Sequence, residues 1–161
     1  MENGGGVTRE VATYPPGSDL GTFDWCVSIA QLLTAGPFSV FPGIDRRMAV
    51  LEGELELTIA GRAVRGISPD TPAVEFPGDV PAFATPLGGP VTDLNIMTRR
   101  GRFASRLTWD MAQQSLQLPP RMDATLILAL GPLGLRCGGR RACVNRSRGS
   151  QGRGAAANGL S

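Results

Sequence analysis

Residues 91–100, VTDLNIMTRR, bring an acid, an amide and two cations close together. In an extended strand Asp93, Asn95 and Met97 share one face, and Leu94 and Ile96 the other. If both faces are covered, Asp93 and Asn95 are buried polar groups that need partners. They then either wall a polar pocket or belong to a structural hydrogen-bond network, and the residues alone leave both open. Residues 36–47, GPFSVFPGIDRR, are a second candidate. Gly36-Pro37 and Pro42-Gly43 are turn formers, and Phe38 and Phe41 read as core plugs. Ser39, Asp45, Arg46 and Arg47 lie beside them. The planar fork of Arg matches a carboxylate with two parallel hydrogen bonds. Either Asp45 pairs with an Arg and pins the loop, or an Arg holds an anionic ligand in the mouth of a β-barrel. Spacing alone favours the pinned loop.

Composition removes several chemistries. The 161 residues include no His. Ser-His-Asp and Cys-His catalysis, and most catalytic zinc or iron sites, need an imidazole and are excluded. Cys26, Cys137 and Cys143 show no CxxC spacing, so neither a zinc site nor a disulfide framework is expected. Residues 3–12, NGGGVTREVA, hold a Gly run but no Lys and no P-loop spacing, and read as a flexible start entering an edge strand. The longest apolar run, 124–135, is broken by Gly131 and Pro132 and falls short of the roughly 18 residues of a membrane span. No signal peptide is visible, and a cytoplasmic protein with no membrane partner is expected. Residues 1–130 hold 10 Arg against 14 Asp and Glu, a net of −4, whereas 131–161 hold 6 Arg and no acid. The body thus lacks the basic stripe that marks nucleic-acid binding.

The elements that must position these residues are short strands. Residues 54–59, ELELTI, alternate most cleanly, with Leu55, Leu57 and Ile59 on one face. A turn at Ala60-Gly61-Arg62 predicts a hairpin with 63–67. Residues 24–32 alternate Trp25, Val27 and Ile29 against Cys26, Ser28 and Ala30. Further strands are expected over 47–52, 73–76, 81–85, 91–97, 103–109 and 125–130, with a short helical turn over 110–118. Strands this short and evenly spaced predict an all-β sandwich, jelly roll or barrel. Residues 1–130 form the expected domain. Residues 131–161, rich in Gly and Arg, read as a disordered or frame-shifted tail.

Three stretches together, NGGGVTREVA, DWCVSIAQLLTAGPFSVFPGIDRRMAVLEG and GPVTDLNIMTRRGR, resemble the HutD/Ves family of cupin-like proteins over residues 3–109. The resemblance implies an all-β, cupin-like jelly-roll barrel, here incomplete at both ends. It implies no cofactor and no metal, a binding role in the governance of histidine utilisation, and small carboxylate ligands such as urocanate or a formylated glutamate. An open barrel edge would invite pairing with another chain, as in a homodimer. Carried over by position, the site residues are Thr8, Glu10, Trp25, Ser39, Asp45, Arg46, Asp93, Asn95 and Arg99. Arg46 and Arg99 would be anion partners and Asp45 the orienter of Arg46. Ser39, Thr8 and Asn95 would be neutral hydrogen-bonding groups, and Trp25 an apolar wall. The family has Arg where this chain has Cys26, which removes one charge-assisted donor. Two alternatives stand beside this reading: a metal-independent enzyme using Asp93 or Glu10 as general base, and a non-functional truncated member.

Overall fold

The computed structural model describes residues 2–3, 6–110, 123–131 and 143–146. The chain divides into two compact units, 1–109 and 110–161. In the first unit the strands are β1 (Glu2–Asn3), β2 (Gly6–Tyr14), β3 (Trp25–Leu32), β4 (Gly36–Pro37), β5 (Ile44–Glu52), β6 (Leu55–Ile59), β7 (Arg62–Ile67), β8 (Val74–Pro77), β9 (Ala82–Pro86) and β10 (Val91–Arg99). They form a six-stranded sheet, β1-β2-β3-β10-β5-β8, and a four-stranded sheet, β4-β9-β6-β7. Every pairing in both sheets is antiparallel. Among the described residues neither sheet closes on itself.

Alternation explains the packing. Met48, Val50, Phe76 and Val91 of the large sheet meet Leu55, Leu57, Ile67, Ala82 and Ala84 of the small sheet in one core. Burying each of the larger side chains among these contributes about 1.5–3 kcal/mol. This defines an inner face of the six-stranded sheet. The β6–β7 hairpin turns through Ala60 (φ 47°) and Gly61 (φ 79°), the two positive φ values of a type I′ turn.

Residues 38–43 carry the chain from β4 in the small sheet to β5 in the large one. The Phe41 N–H donates to Gly78 O at 2.8 Å, and the Gly78 N–H donates to Ile44 O at 2.7 Å. A Cβ on Gly78 would stand 2.9 Å from Phe41 O, so this corner needs glycine for close approach. The Gly43 N–H donates to Asp79, whose other oxygen receives Arg100 Nη1.

Two expectations need correction. No strand forms over 103–109. That segment is an extended strap held by a side chain, not by a sheet edge: Arg47 Nη2 donates to Ser105 O at 3.0 Å, and Arg47 also pairs with Glu75 at 2.9 Å. Its apolar alternation, with Phe103, Ser105 and Leu107 half-buried, therefore reflects packing on a neighbour without strand pairing. The strand expected from residue 47 starts at Ile44, because Gly43 (φ 72°) already completes the turn. The remaining strands agree with expectation to within two residues. The helical turn expected over 110–118 lies, from residue 111 on, outside the described residues. So does the expected tail, apart from Gly131 and Cys143–Arg146.

In the second unit β11 (Leu126–Ala129) pairs in parallel with β12 (Cys143–Arg146). The latter is a strand within the stretch expected to have none, where Val144 is flanked by Gly- and Arg-rich sequence that carries no alternation. Among the described residues no helix is long and apolar enough to cross a membrane.

Candidate functional site

The register of the six-stranded sheet assembles the site. On its inner face Asp93 stands opposite Ala30 and Val50, Asn95 opposite Ser28 and Met48, and Met97 opposite Cys26 and Arg46. From β2, Thr8, Glu10 and Thr13 pair with Ala30, Ser28 and Cys26, so they extend the same face. Thr8 and Glu10 are exposed, whereas Arg46, Asp93, Asn95 and Ser28 are buried. A polar band thus runs from an exposed margin on β2 to a buried guanidinium on β5.

Arg46 is 6% exposed. Its Nη2 donates to Asn95 Oδ1 at 2.8 Å, and its Nη1 donates to Ser39 O at 3.4 Å. Its Cζ lies 4.7 Å from the ring centre of Phe38, 5.1 Å from that of Phe76 and 5.8 Å from that of Phe41. Such ring contacts contribute about 2 kcal/mol when desolvated. Asn95 Nδ2 in turn donates to Asp93 Oδ1. Asn95 therefore links cation to acid. Among the described residues, two buried side-chain atoms have no hydrogen-bond partner: Arg46 Nε and Asp93 Oδ2.

Burial governs the charges. Asp93 is fully buried, and desolvation pushes its carboxyl up to about 7, although Arg46 and the Asn95 hydrogen bond pull the other way. Desolvation lowers the Arg46 guanidinium to about 10, opposed by Asp93, and it stays charged at neutral pH. Burial, reinforced by the charge of Glu10, raises the Cys26 thiol to about 11.

The register unites Arg46, Asp93, Asn95, Thr8 and Glu10 on one face, and Ser39 adds its carbonyl oxygen. Three assigned roles do not fit. Asp45 does not orient Arg46: adjacent strand residues point to opposite faces, and Asp45 receives Arg100 Nε at 2.7 Å. Arg99 is spent at the end of β10, where it donates to Phe23 O at 2.7 Å and pairs with Asp24 at 3.6 Å. Trp25 lies on the outer face, stacked on Tyr14 with ring centres 5.9 Å apart. Sequence reasoning missed the ring cage as a cage. Phe38 and Phe41 read as plugs, and Phe76, the third ring, is separated from them in sequence and joined by the β5–β8 register. It also missed Arg100, the second Arg of the Arg99-Arg100 pair, as the partner of Asp45. The Asp45-Arg46-Arg47 succession carries a usable signal, since alternation alone sends Arg46 inward when its neighbours point out.

Two open antiparallel sheets packed face to face, with a polar band on the inner face of the larger, define an all-β protein. The HutD family model matches residues 2–138, and the chain belongs to the HutD family. It is 39% identical over 101 residues to Protein Ves of Cronobacter sakazakii, covering 62% of this chain and 54% of that protein. It is 36% identical over 109 residues to an uncharacterized 21.2 kDa protein in the hutC 3′ region of Pseudomonas putida, covering 67% and 56% respectively. Among solved structures it resembles HutD from Pseudomonas fluorescens SBW25, with 34% identity and a TM-score of 0.54 over 61% of this chain and 53% of that one. A conserved protein of unknown function from Pseudomonas aeruginosa PAO1 matches at 33% identity and a TM-score of 0.57, over 62% of this chain and 50% of that one. The chain spans about half the length of the curated relatives it matches.

Proposed function

We propose that this chain binds a small carboxylate-bearing metabolite on the inner face of its larger sheet, with Arg46 as the anion partner, and that it acts in regulating histidine utilisation. The observation that carries the reading is the state of Arg46. A guanidinium buried among three aromatic rings keeps Nε unpartnered, whereas buried donors are ordinarily paired. A ligand carboxylate supplies the missing acceptor in a charge-assisted bond. The exposed Thr8 and Glu10 mark the side of the polar band from which such a ligand would approach. The link to histidine utilisation rests on family membership and on the name of the Pseudomonas putida relative, which puts that protein in the hutC region. Candidate ligands are urocanate and formylated glutamates.

A thermal-shift screen with urocanate, N-formylglutamate and histidine tests this. A ligand at a hundred times its dissociation constant adds about 2.7 kcal/mol of stability. The expected result is a concentration-dependent rise in Tm with at least one carboxylate ligand. A cooperative melt unmoved by all three opposes the reading.

A second reading draws on Asp93. A buried carboxyl raised to about 7 has the acidity of a general acid–base group at neutral pH. Incubating the protein with the same compounds and following turnover by NMR separates the two readings. Conversion that Asp93→Asn abolishes would establish catalysis, and unchanged substrate would leave binding.

A further inference from the structure

Resting on the carboxylate-binding reading, we infer that the site binds its ligand together with one proton: Asp93 Oδ2 takes up a proton from solvent and donates it in a hydrogen bond to the ligand carboxylate.

Charge counting on the inner face leads there. Among the described residues, the buried part of the band holds one cation, Arg46, and one acid, Asp93. A ligand carboxylate beside Arg46 Nε would put two anions against one cation in a desolvated site. Like charges sharing such a site are not both kept ionised. The geometry selects which one takes the proton. Asp93 Oδ1 is occupied by Asn95 Nδ2, so Oδ2 remains as the oxygen open to protonation. Asn95 Oδ1 is occupied by Arg46 Nη2, so the amide has its orientation fixed and does not turn its oxygen toward Asp93. An ionised Oδ2 facing a ligand oxygen would be two acceptors without a hydrogen; one proton between them makes a strong bond. An ordinary ligand carboxylate has a lower pKa than the desolvated Asp93, so the ligand stays the anion and Asp93 is the donor.

Among the described residues, the other groups on this face do not supply an alternative cation. From β3 come Cys26 and Ser28, and from β2 Thr8, Thr13 and the exposed Glu10, a second acid that adds negative charge. β8 contributes Phe76, and the core residues of β6, β7 and β9 are the apolar Leu55, Leu57, Ile67, Ala82 and Ala84. The free protein is poised for the uptake, since desolvation already holds the Asp93 carboxyl near 7. Bound anion raises it further. Affinity is therefore flat below pH about 7 and falls about tenfold per pH unit above it, the signature of one linked proton.

Calorimetric titration of the whole protein with N-formylglutamate and with urocanate, from pH 6 to 8.5 and in two buffers of different ionisation heat, tests the inference. The expected result is close to one proton taken up per ligand at pH 8 and a tenfold weaker Kd at pH 8.5 than at 7.5. Asp93→Asn is expected to bind without proton uptake and without that pH dependence. Should the variant fail to fold, the 13C shift of the Asp93 carboxyl in the wild-type complex at pH 8 reads the same proton directly, and must be that of the neutral acid. Tight binding without proton uptake, or an ionised Asp93 in the complex, overturns the inference and leaves carboxylate binding standing. No binding of either compound at any pH overturns the carboxylate reading, and this inference with it.

Discussion

At the scale of single residues, the inner face is built around two charges held out of water. Asp93 has the clearer consequence. Desolvation raises its folded-state pKa to about 7, from the ordinary carboxylate value of about 3.9. Below the unfolded value both states hold the proton, and its contribution is fully present. As pH rises from about 4 to about 7 the unfolded chain ionises first, so stability is lost at about 1.4 kcal/mol per pH unit, a total on the order of 4 kcal/mol. Urea unfolding at pH 4.5, 5.5 and 6.5 should show wild-type stability falling relative to Asp93→Asn by that slope; parallel curves would refute it. Cys26 is 4% exposed and its thiol is raised to about 11. Alkylation with iodoacetamide at pH 8, read peptide by peptide, should leave Cys26 unmodified until denaturant is added. The polarity of this face was legible in VTDLNIMTRR, because strand alternation alone places Asp93 with Asn95. The role of Asp45 was not. An Asp next to an Arg in sequence suggests a pair, but in a strand the two side chains leave by opposite faces, and Asp45 found Arg100 instead.

At the scale of elements, the strap over 103–109 and the corner at 38–43 do the positioning. Arg47 binds the strap through Ser105, on the face opposite Arg46. Arg47→Met should free it, and trypsin should then cut faster after the exposed Arg106 while the core strands stay protected. Equal cleavage rates would show that the strap is held by other contacts. Gly78→Ala would press a methyl against Phe41 O and Ile44 O, costing about 1–3 kcal/mol by denaturant unfolding and disturbing the ring cage through Phe41. Most strands could be read from the sequence because alternation and Pro/Gly punctuation are local properties. The strap could not, since it has a strand's alternation without a strand's partner. The convergence of Phe38, Phe41 and Phe76 was also hidden, because the register between β5 and β8 is a long-range property.

At the scale of the molecule, two open antiparallel sheets place the buried Arg46 guanidinium at the inner end of a polar band, in a chain that belongs to the HutD family. The all-β class followed from strand spacing, and the family from three motif strings taken in order. Carboxylate binding on this face, as proposed, requires Arg46 as the anion partner. The most direct measurement is the Kd for N-formylglutamate or urocanate in wild type, Arg46→Lys and Arg46→Met, with the fold of each verified by circular dichroism. Lys keeps the charge but loses the planar fork and Nε, so affinity should fall at least tenfold; Met should abolish measurable binding. Undiminished affinity in a folded Arg46→Met protein would contradict the account.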